Sequence, residues 1–370
     1  MIPANDFGCQ WRDTRLDLEQ AFNRVLESGW YILGEEVRAF EVQLAQFWGM
    51  RYAAGVASGL DAIEISLRIL GCKCGDKVLT TPLSAFATTL AILKLGAQPV
   101  FVDTDNYGLV DLDLCRRLLS SRPDIRFFVP VHLYGNCLDL GKLRRLREEF
   151  SLSVVEDCAQ AIGASFAGER AGTVGQLAAL SLYPTKNLGA IGDGGAILTN
   201  NALLDRMVRM SRDYGQASKY HHEVVGYNSR LDELQAALLR SGLLPRLPVW
   251  NSRRQAIAEQ YLDTIRNPAL RCVGRPAGSE SCWHLFPVLV EGGRKGSFLA
   301  QLKANNVTGG EHYPLAIPDQ QALAKAPHEV VGDCAQAREF ARCEVSLPMH
   351  PYLTDGDIQK VVDTCNRWRG

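Results

Sequence analysis

The chain has 370 residues, 46% hydrophobic and 22% charged, with 40 Lys and Arg against 41 Asp and Glu. That composition belongs to a folded protein long enough for two domains and excludes a disordered or collagen-like chain. A net charge of −1 gives no overall basic field for nucleic acid, and no window approaches the roughly 18 uninterrupted apolar residues of a membrane span.

The opening segment, "MIPANDFGCQWRDTRLD", has no basic stretch followed by an apolar one, so no secretory leader is expected. Next, "TRLDLEQAFNRVLESG" and "EVRAFEVQLAQFWG" carry apolar residues at helical spacing (Leu18, Phe22, Val25; Val37, Phe40, Leu44, Phe47) and end in Gly. Short apolar runs then alternate with helical stretches. "YAAGVA" precedes a helix expected near Asp61, "KVLTTP" precedes "ATTLAILKLG", and "PVFVD" precedes "LDLCRRLLSS". "RFFVPVHLYG" precedes "LGKLRRLREEF", followed by "LSVVED", "LAALSLYP" and "GGAILTN". Such alternation predicts an α/β fold with a mostly parallel sheet and helices on both faces. Functional residues of such sheets gather at the carboxyl ends of the strands. Near residue 240 the pattern changes. "GLLPRLPVWNSRR" holds two prolines and is expected to bend the chain into a new segment. "RRQAIAEQYLDTI" reads as a helix, and "HLFPVLVEG" and "EVSLPM" read as strands of a smaller mixed α/β domain. The expected division is a large domain over 1–243 and a smaller one over 244–370. Eleven Cys are scattered singly. The pair Cys72 and Cys74 has no second cluster, so no metal site is expected, and the thiols fit a reducing cytoplasm.

Between Ala171 and Gly192 the only formal charge is Lys186, set among Tyr183, Pro184, Leu188, Ala190 and Ile191. Desolvation lowers a lysine's pKa and frees its amine as a nucleophile, able to form a Schiff base with a carbonyl compound or with pyridoxal phosphate (PLP). PLP accepts electrons only while its ring nitrogen stays protonated, which calls for a carboxylate. "LSVVEDCAQA" supplies Glu156 and Asp157 at the end of a buried strand. Asp157 shares the face of Val155 and is expected to point into the site, although Asp also suits a helix N-cap. Ser58 and Gly59, between a strand and a helix, can aim N–H groups at an anion, and Ser181 can add a hydroxyl. Phe86, just past a strand end, can stack on a ring or fill the core. "GDGG" does not match G-x-G-x-x-G, so a nicotinamide-binding dehydrogenase lacks its fingerprint.

The ordered set "SGLDA", "TTPLSAFATTLAIL", "PVFVD", "VPVHLYG", "VVEDCAQAIGA", "SLYPTKNLGAIGDGGAILT", "YNSRLDELQAALL" and "EHYP" resembles the DegT/DnrJ/EryC1/StrS family of PLP-dependent aminotransferases acting on nucleotide-linked keto-sugars. The resemblance implies an aspartate-aminotransferase-like fold and a homodimer with shared active sites. It implies L-glutamate as amino donor and a nucleotide sugar as acceptor. By position in the motifs, Lys186 matches the lysine that carries the cofactor and Asp157 the partner of its ring nitrogen. Gln160 lies near the phenolic oxygen, and Phe86 is the stacking residue. Ser58, Gly59 and Ser181 match phosphate ligands. Leu60 takes a phosphate-side position where relatives often carry Thr, so that hydroxyl is absent here. Asn228 matches a residue reaching the phosphate of the other subunit, and it also suits a cap for a helix expected near Ser229. Tyr183, His312 and Tyr313 are candidates for the sugar side, and Lys219, Tyr220 and Arg230 for the nucleotide diphosphate. "YPTKNLGAIGDGG" is similar to the branch that aminates C-3 of dTDP-3-keto-6-deoxyhexoses, except that Thr185 replaces a usual Gly. Alternatives are a C-4 aminotransferase and a non-catalytic sensory relative, which would be expected to lose Lys186 or Asp157. Sugar 3-dehydratases of the same fold carry His where this chain has Lys186.

Overall fold

The apolar runs of the first half assemble into one eight-stranded sheet in the computed structural model, which describes residues 1–370. Its strands are β1 (Tyr52–Val56), β2 (Lys77–Thr80), β3 (Gln98–Phe101), β4 (Ile125–Val129), β5 (Ser153–Asp157), β6 (Leu177–Ser181) and β7 (Gly195–Thr199), with the short Glu329–Val330 at one edge. The order is β1-β7-β6-β5-β4-β2-β3 and then Glu329–Val330. From that edge to β6 every pairing is parallel, but β7 runs antiparallel to both β6 and β1. The near-continuous burial of β5 and β6 reflects helices on both faces. The fold is of the aspartate-aminotransferase type, as expected.

Helix α1 (Phe7–Ser28) starts well before the periodic stretch that announces it, because the Asp6 carboxylate accepts a 2.8 Å hydrogen bond from the Cys9 amide. Three further helices, α2 (Glu35–Trp48), α3 (Gly59–Ile69) and α4 (Phe86–Lys94), follow. The stretch "GLLPRLPVWNSRR", expected to bend the chain into a new segment, is helical throughout. Helical turns run on from Glu233 to Thr264 through a π turn (Leu239–Leu243) and a 3-10 turn (Leu244–Arg246). Pro245 and Pro248 sit near the starts of separate helical pieces, where the missing N–H costs no interior hydrogen bond. No helix is long and apolar enough to cross a membrane.

The C-terminal part carries an antiparallel sheet of Leu270–Cys272, Phe286–Val290 and Glu344–Leu347. Its core includes Tyr261, Phe286, Phe298 and Val361, joined by Ile2 from the start of the chain. The Ile2 amide donates to the Asn306 carbonyl at 2.7 Å. Residues Ile317, Leu323, Cys334 and Ala337 pack instead with the core of the large sheet.

Strand β5 positions the site. Its last two residues face opposite ways, as strand geometry requires. Glu156 is fully buried and accepts from the amides of Gly172 (2.9 Å), Val174 (2.7 Å) and Gly175 (2.5 Å) and from His132 Nε2 (2.8 Å). Burial pushes its pKa up, but His132 and these amides outweigh that and hold the carboxyl below its ordinary value. Glu156→Ala leaves these donors buried and unpaired, and is expected to cost about 3–5 kcal/mol in urea unfolding. Because the folded-state pKa is depressed, the stabilisation is complete above the unfolded carboxylate's pKa. It is lost as pH falls through the lower folded value.

Candidate active site

Lys186 lies in the loop after β6, its amide donating to the Tyr183 carbonyl at 2.8 Å while Ala190 N–H returns to Leu182 at 2.7 Å. The side chain opens on a cavity of about 290 Å³ whose lining includes Asn5, His284, His312, Tyr313 and Met349. Burial pushes the ammonium pKa down to about 8, and the Asp157 carboxylate works against that shift. Asp157 is itself buried. Its Oδ2 accepts from Thr88 Oγ1 at 2.7 Å and its Oδ1 from the Ala159 amide at 3.0 Å. Burial raises its pKa; Thr88, the Ala159 amide and Lys186 oppose the rise without cancelling it. The sequence places the two residues far apart, and the fold brings their charges within reach of each other.

Gln160 joins the sheet to the C-terminal part. Its Oε1 accepts from the Tyr134 amide at 2.8 Å, and its Nε2 donates to the Tyr313 hydroxyl at 3.0 Å. Phe86 is half-buried at the start of α4, the helix that also carries Thr88. On the neighbouring strand ends, Ser58 caps α3 by accepting from the Asp61 amide at 3.1 Å. The N–H groups of Gly59 and Leu60 find no acceptor in the chain. A Cβ at Gly59 would lie 2.6 Å from Ser181 Cβ, and one at Gly195 would lie 2.4 Å from the Ser58 carbonyl carbon. Only glycine permits so close an approach, and it draws Ser58, Gly59 and Ser181 into one cradle. Two free amides at a helix N-terminus with two hydroxyls beside them fit a phosphate. Leu60 brings no hydroxyl, so this position offers an anion its amide alone. An amine that reacts with aldehydes and a buried carboxylate fit the remaining groups of PLP.

Other expected residues lie elsewhere. His312 and Tyr313 line the cavity; Tyr183 is 51% exposed. Lys219 and Tyr220 sit at the tip of the hairpin Gln216–Ser218/His221–His222, the lysine 5.3 Å from the tyrosine ring. Arg230 pairs with Asp213 at 2.9 Å and stacks on Tyr214. Asn228 is exposed and bridges Asp213 through its backbone. Its capping role is corrected, because the next helix starts at Glu233 behind Asp232. None of Lys219, Tyr220, Asn228 and Arg230 lines the cavity around Lys186.

Sequence reasoning missed Thr88, His284 and Ser229. Ser229 accepts from the Ala57 amide at 3.0 Å and donates to Asp61 at 2.7 Å, tying the segment after Asn228 to the cradle. Thr88 stood two residues beyond Phe86 in a quoted motif, but nothing local announces that its hydroxyl meets Asp157.

A deep lysine facing a carboxylate at the strand ends of this α/β sheet defines an enzyme of the aminotransferase class. Residues 13–366 match the DegT/DnrJ/EryC1/StrS aminotransferase family, and the chain belongs to it. It is 39% identical over 372 residues, covering 99% of this chain and 96% of the relative, to dTDP-3-amino-3,4,6-trideoxy-alpha-D-glucose transaminase of Streptomyces venezuelae. It is 40% identical over 370 residues, covering 100% and 99%, to dTDP-3-amino-3,6-dideoxy-alpha-D-galactopyranose transaminase of Aneurinibacillus thermoaerophilus. Among solved structures, S. venezuelae DesV in complex with a ketimine intermediate superposes with TM-score 0.94 at 38% identity, covering 99% of this chain and 98% of that one. NtdA of Bacillus subtilis with bound cofactor PMP superposes with TM-score 0.87 at 27% identity, covering 95% and 81%.

Labelling of Lys186 by an amine-selective reagent, followed by peptide mass spectrometry, is expected to titrate near pH 8. Asp157→Asn removes the carboxylate that favours the ammonium and should move the midpoint lower.

Proposed function

We propose that the chain is a PLP-dependent transaminase that moves an amino group from L-glutamate to C-3 of a dTDP-linked 3-keto-6-deoxyhexose. The observation that carries this reading is Lys186 opening on a cavity of about 290 Å³ while lying within electrostatic reach of the buried Asp157. The amides of Gly59 and Leu60 and the hydroxyls of Ser58 and Ser181 would hold the cofactor phosphate. Phe86 would stack on the ring, and Gln160 would stand near its phenolic oxygen. Bound PLP supplies an aldehyde for Lys186 and a protonated ring that accepts the electrons of a substrate carbanion.

Asp157 would hold that ring proton in place. Burial makes it a stronger base than a surface aspartate, and a cationic ring nitrogen beside it favours its ionised form. Thr88 and the Ala159 amide fix the direction in which the carboxylate points. Lys186 would hold the cofactor at rest and, once a donor amine took its place, would be free to act as a base. With its pKa near 8, a useful share of the amine is neutral at neutral pH and can take the proton from the donor's α-carbon. The same group returns the proton when the keto-sugar is aminated. Support for C-3 comes from the motif around Lys186 and from the names of the two relatives.

The site is completed by a second copy of the chain. The exposed Trp11 and Phe22 of α1, with Ile191, Leu234 and Leu238, line an apolar groove of about 570 Å³. Ile191 lies on the same loop as Lys186. Covering this groove would place a neighbour close to each site, where its Asn228, Lys219, Tyr220 and Arg230 would serve the phosphate and the nucleotide. Within each copy, 1–243 forms the cofactor-binding unit and 244–370 the smaller one, with Ile2 and residues 317–343 crossing between them. All eleven cysteines are free thiols, which suits a cytoplasmic enzyme.

Borohydride treatment of the protein loaded with PLP is expected to fix the cofactor to the peptide containing Lys186 and to no other. Lys186→Ala should abolish transamination, and Asp157→Asn should lower its rate by about a hundredfold or more. Incubation of 3-keto and 4-keto dTDP-6-deoxyhexoses with L-glutamate, read by mass and NMR, should yield only the 3-amino product. Exclusive turnover of the 4-keto sugar would overturn the C-3 assignment.

A further inference from the structure

Two histidines line the cavity of Lys186, and their ring nitrogens are backed differently. His284 Nδ1 lies 3.2 Å from Asn187 Oδ1, a neutral amide oxygen. His312 Nδ1 lies 2.9 Å from Ser346 Oγ, which donates to Glu344 Oε1 at 2.5 Å. The other oxygen of Glu344 accepts the backbone amide of His312 at 2.6 Å. One carboxylate therefore grips both the main chain and, through a hydroxyl, the ring of the same histidine. Glu344 is 1% and Ser346 4% exposed.

The direction of this chain fixes the hydrogens. With Glu344 ionised, Ser346 gives its only proton to that carboxylate, so its oxygen accepts from His312. Nδ1 then carries the ring hydrogen, and the lone pair sits on Nε2, which has no partner in the chain. Burial, followed by the charge of Lys186, pushes the His312 pKa down to about 4, so the ring is neutral and its tautomer matters. Burial raises Glu344 to about 7, opposed by the His312 amide, Ser346 and Lys295 and assisted by Glu311, so the carboxylate that sets this direction prevails above that pH, where the tautomer is to be read.

We infer that Ser346 and Glu344 are positioning residues that hold His312 in its Nδ1–H form, so that Nε2 accepts a hydrogen bond from the amino group being transferred. The inference rests on the transaminase reading, which puts that amino group at Lys186. A nitrogen that gives one N–H to a fixed acceptor has its lone pair directed before it attacks. No net proton transfer to the ring is needed, so a weakly basic imidazole suffices. His284, backed by an amide, has no comparable link to a carboxylate.

The test uses the loaded enzyme and the variants Ser346→Ala, Ser346→Thr and Glu344→Gln. Nitrogen-15 NMR of the ring reports the tautomer in the resting protein. Single-turnover reaction with L-glutamate reports the donor half-reaction. Ser346→Ala is expected to mix the two tautomers and slow that half-reaction about tenfold, as for one lost hydrogen bond, with cofactor content and KM little changed. Ser346→Thr should restore both readouts, and Glu344→Gln should shift the tautomer in the same sense as Ser346→Ala. An unchanged Nδ1–H signal in Ser346→Ala, or a wild-type rate in that variant, would overturn the inference. So would a Thr variant no better than the Ala variant. A wild-type protein inert to every amino donor would instead refute the transaminase reading, while the resting-state NMR would still decide the tautomer.

Discussion

Two adjacent carboxylates leave the end of β5 in opposite directions, and the rest of the molecule is arranged around that divergence. Glu156 turns into the protein and is saturated by three amides and an imidazole. Asp157 turns the other way, to Thr88 and within reach of the Lys186 charge, and keeps only a hydroxyl and one amide. Both sit in a low-dielectric interior where an unpaired charge is costly. The pair survives because one charge is fully compensated by structure and the other is left partly uncompensated, ready for a cation. Lys186 responds to the second charge and not the first. A strand with both acids on one face could not separate these tasks, because like charges side by side oppose each other's ionisation.

Much of this was readable from the chain alone, for definite reasons. Lys186 stood out because an isolated charge in an apolar run has few structural explanations. The orientation of Asp157 followed from strand alternation, and the cradle at Ser58 and Gly59 from its place between strand and helix. What stayed hidden depended on pairing across distance. The direction of β7 is invisible in an apolar run, since either direction buries the same residues. The start of α1 rests on one carboxylate, Asp6, and on no periodicity. Pro245 and Pro248 read as a break because only the register of the helical pieces shows that their rings fall where no amide is needed. Thr88, Ser229, Glu344 and Ser346 are ordinary polar residues in the sequence and acquire roles only from their neighbours in space.

The capping role read for Asn228 fails for a similar reason. A polar residue ahead of an amphipathic stretch is a reasonable cap, yet its backbone is spent on Asp213 and its side chain stands exposed. Lys219 and Tyr220 are likewise displayed on a hairpin tip, away from the cavity of their own chain. Exposed polar residues outside the cavity and an apolar groove beside the lysine loop are what a chain would present if it were half of a shared site.

The cradle proposed for the phosphate is made where backbones touch. Gly59 against Ser181 and Gly195 against Ser58 leave no room for a further carbon, so that end of the site tolerates almost no change. The opposite wall is made of side chains from distant stretches, among them Asn5, His284, His312 and Met349, carried on loops and on the smaller sheet. Evolution can therefore re-tailor that wall for a new sugar while the anion seat stays constant. A scaffold divided in this manner can give rise to a large set of enzymes that share one reaction and differ in what they aminate.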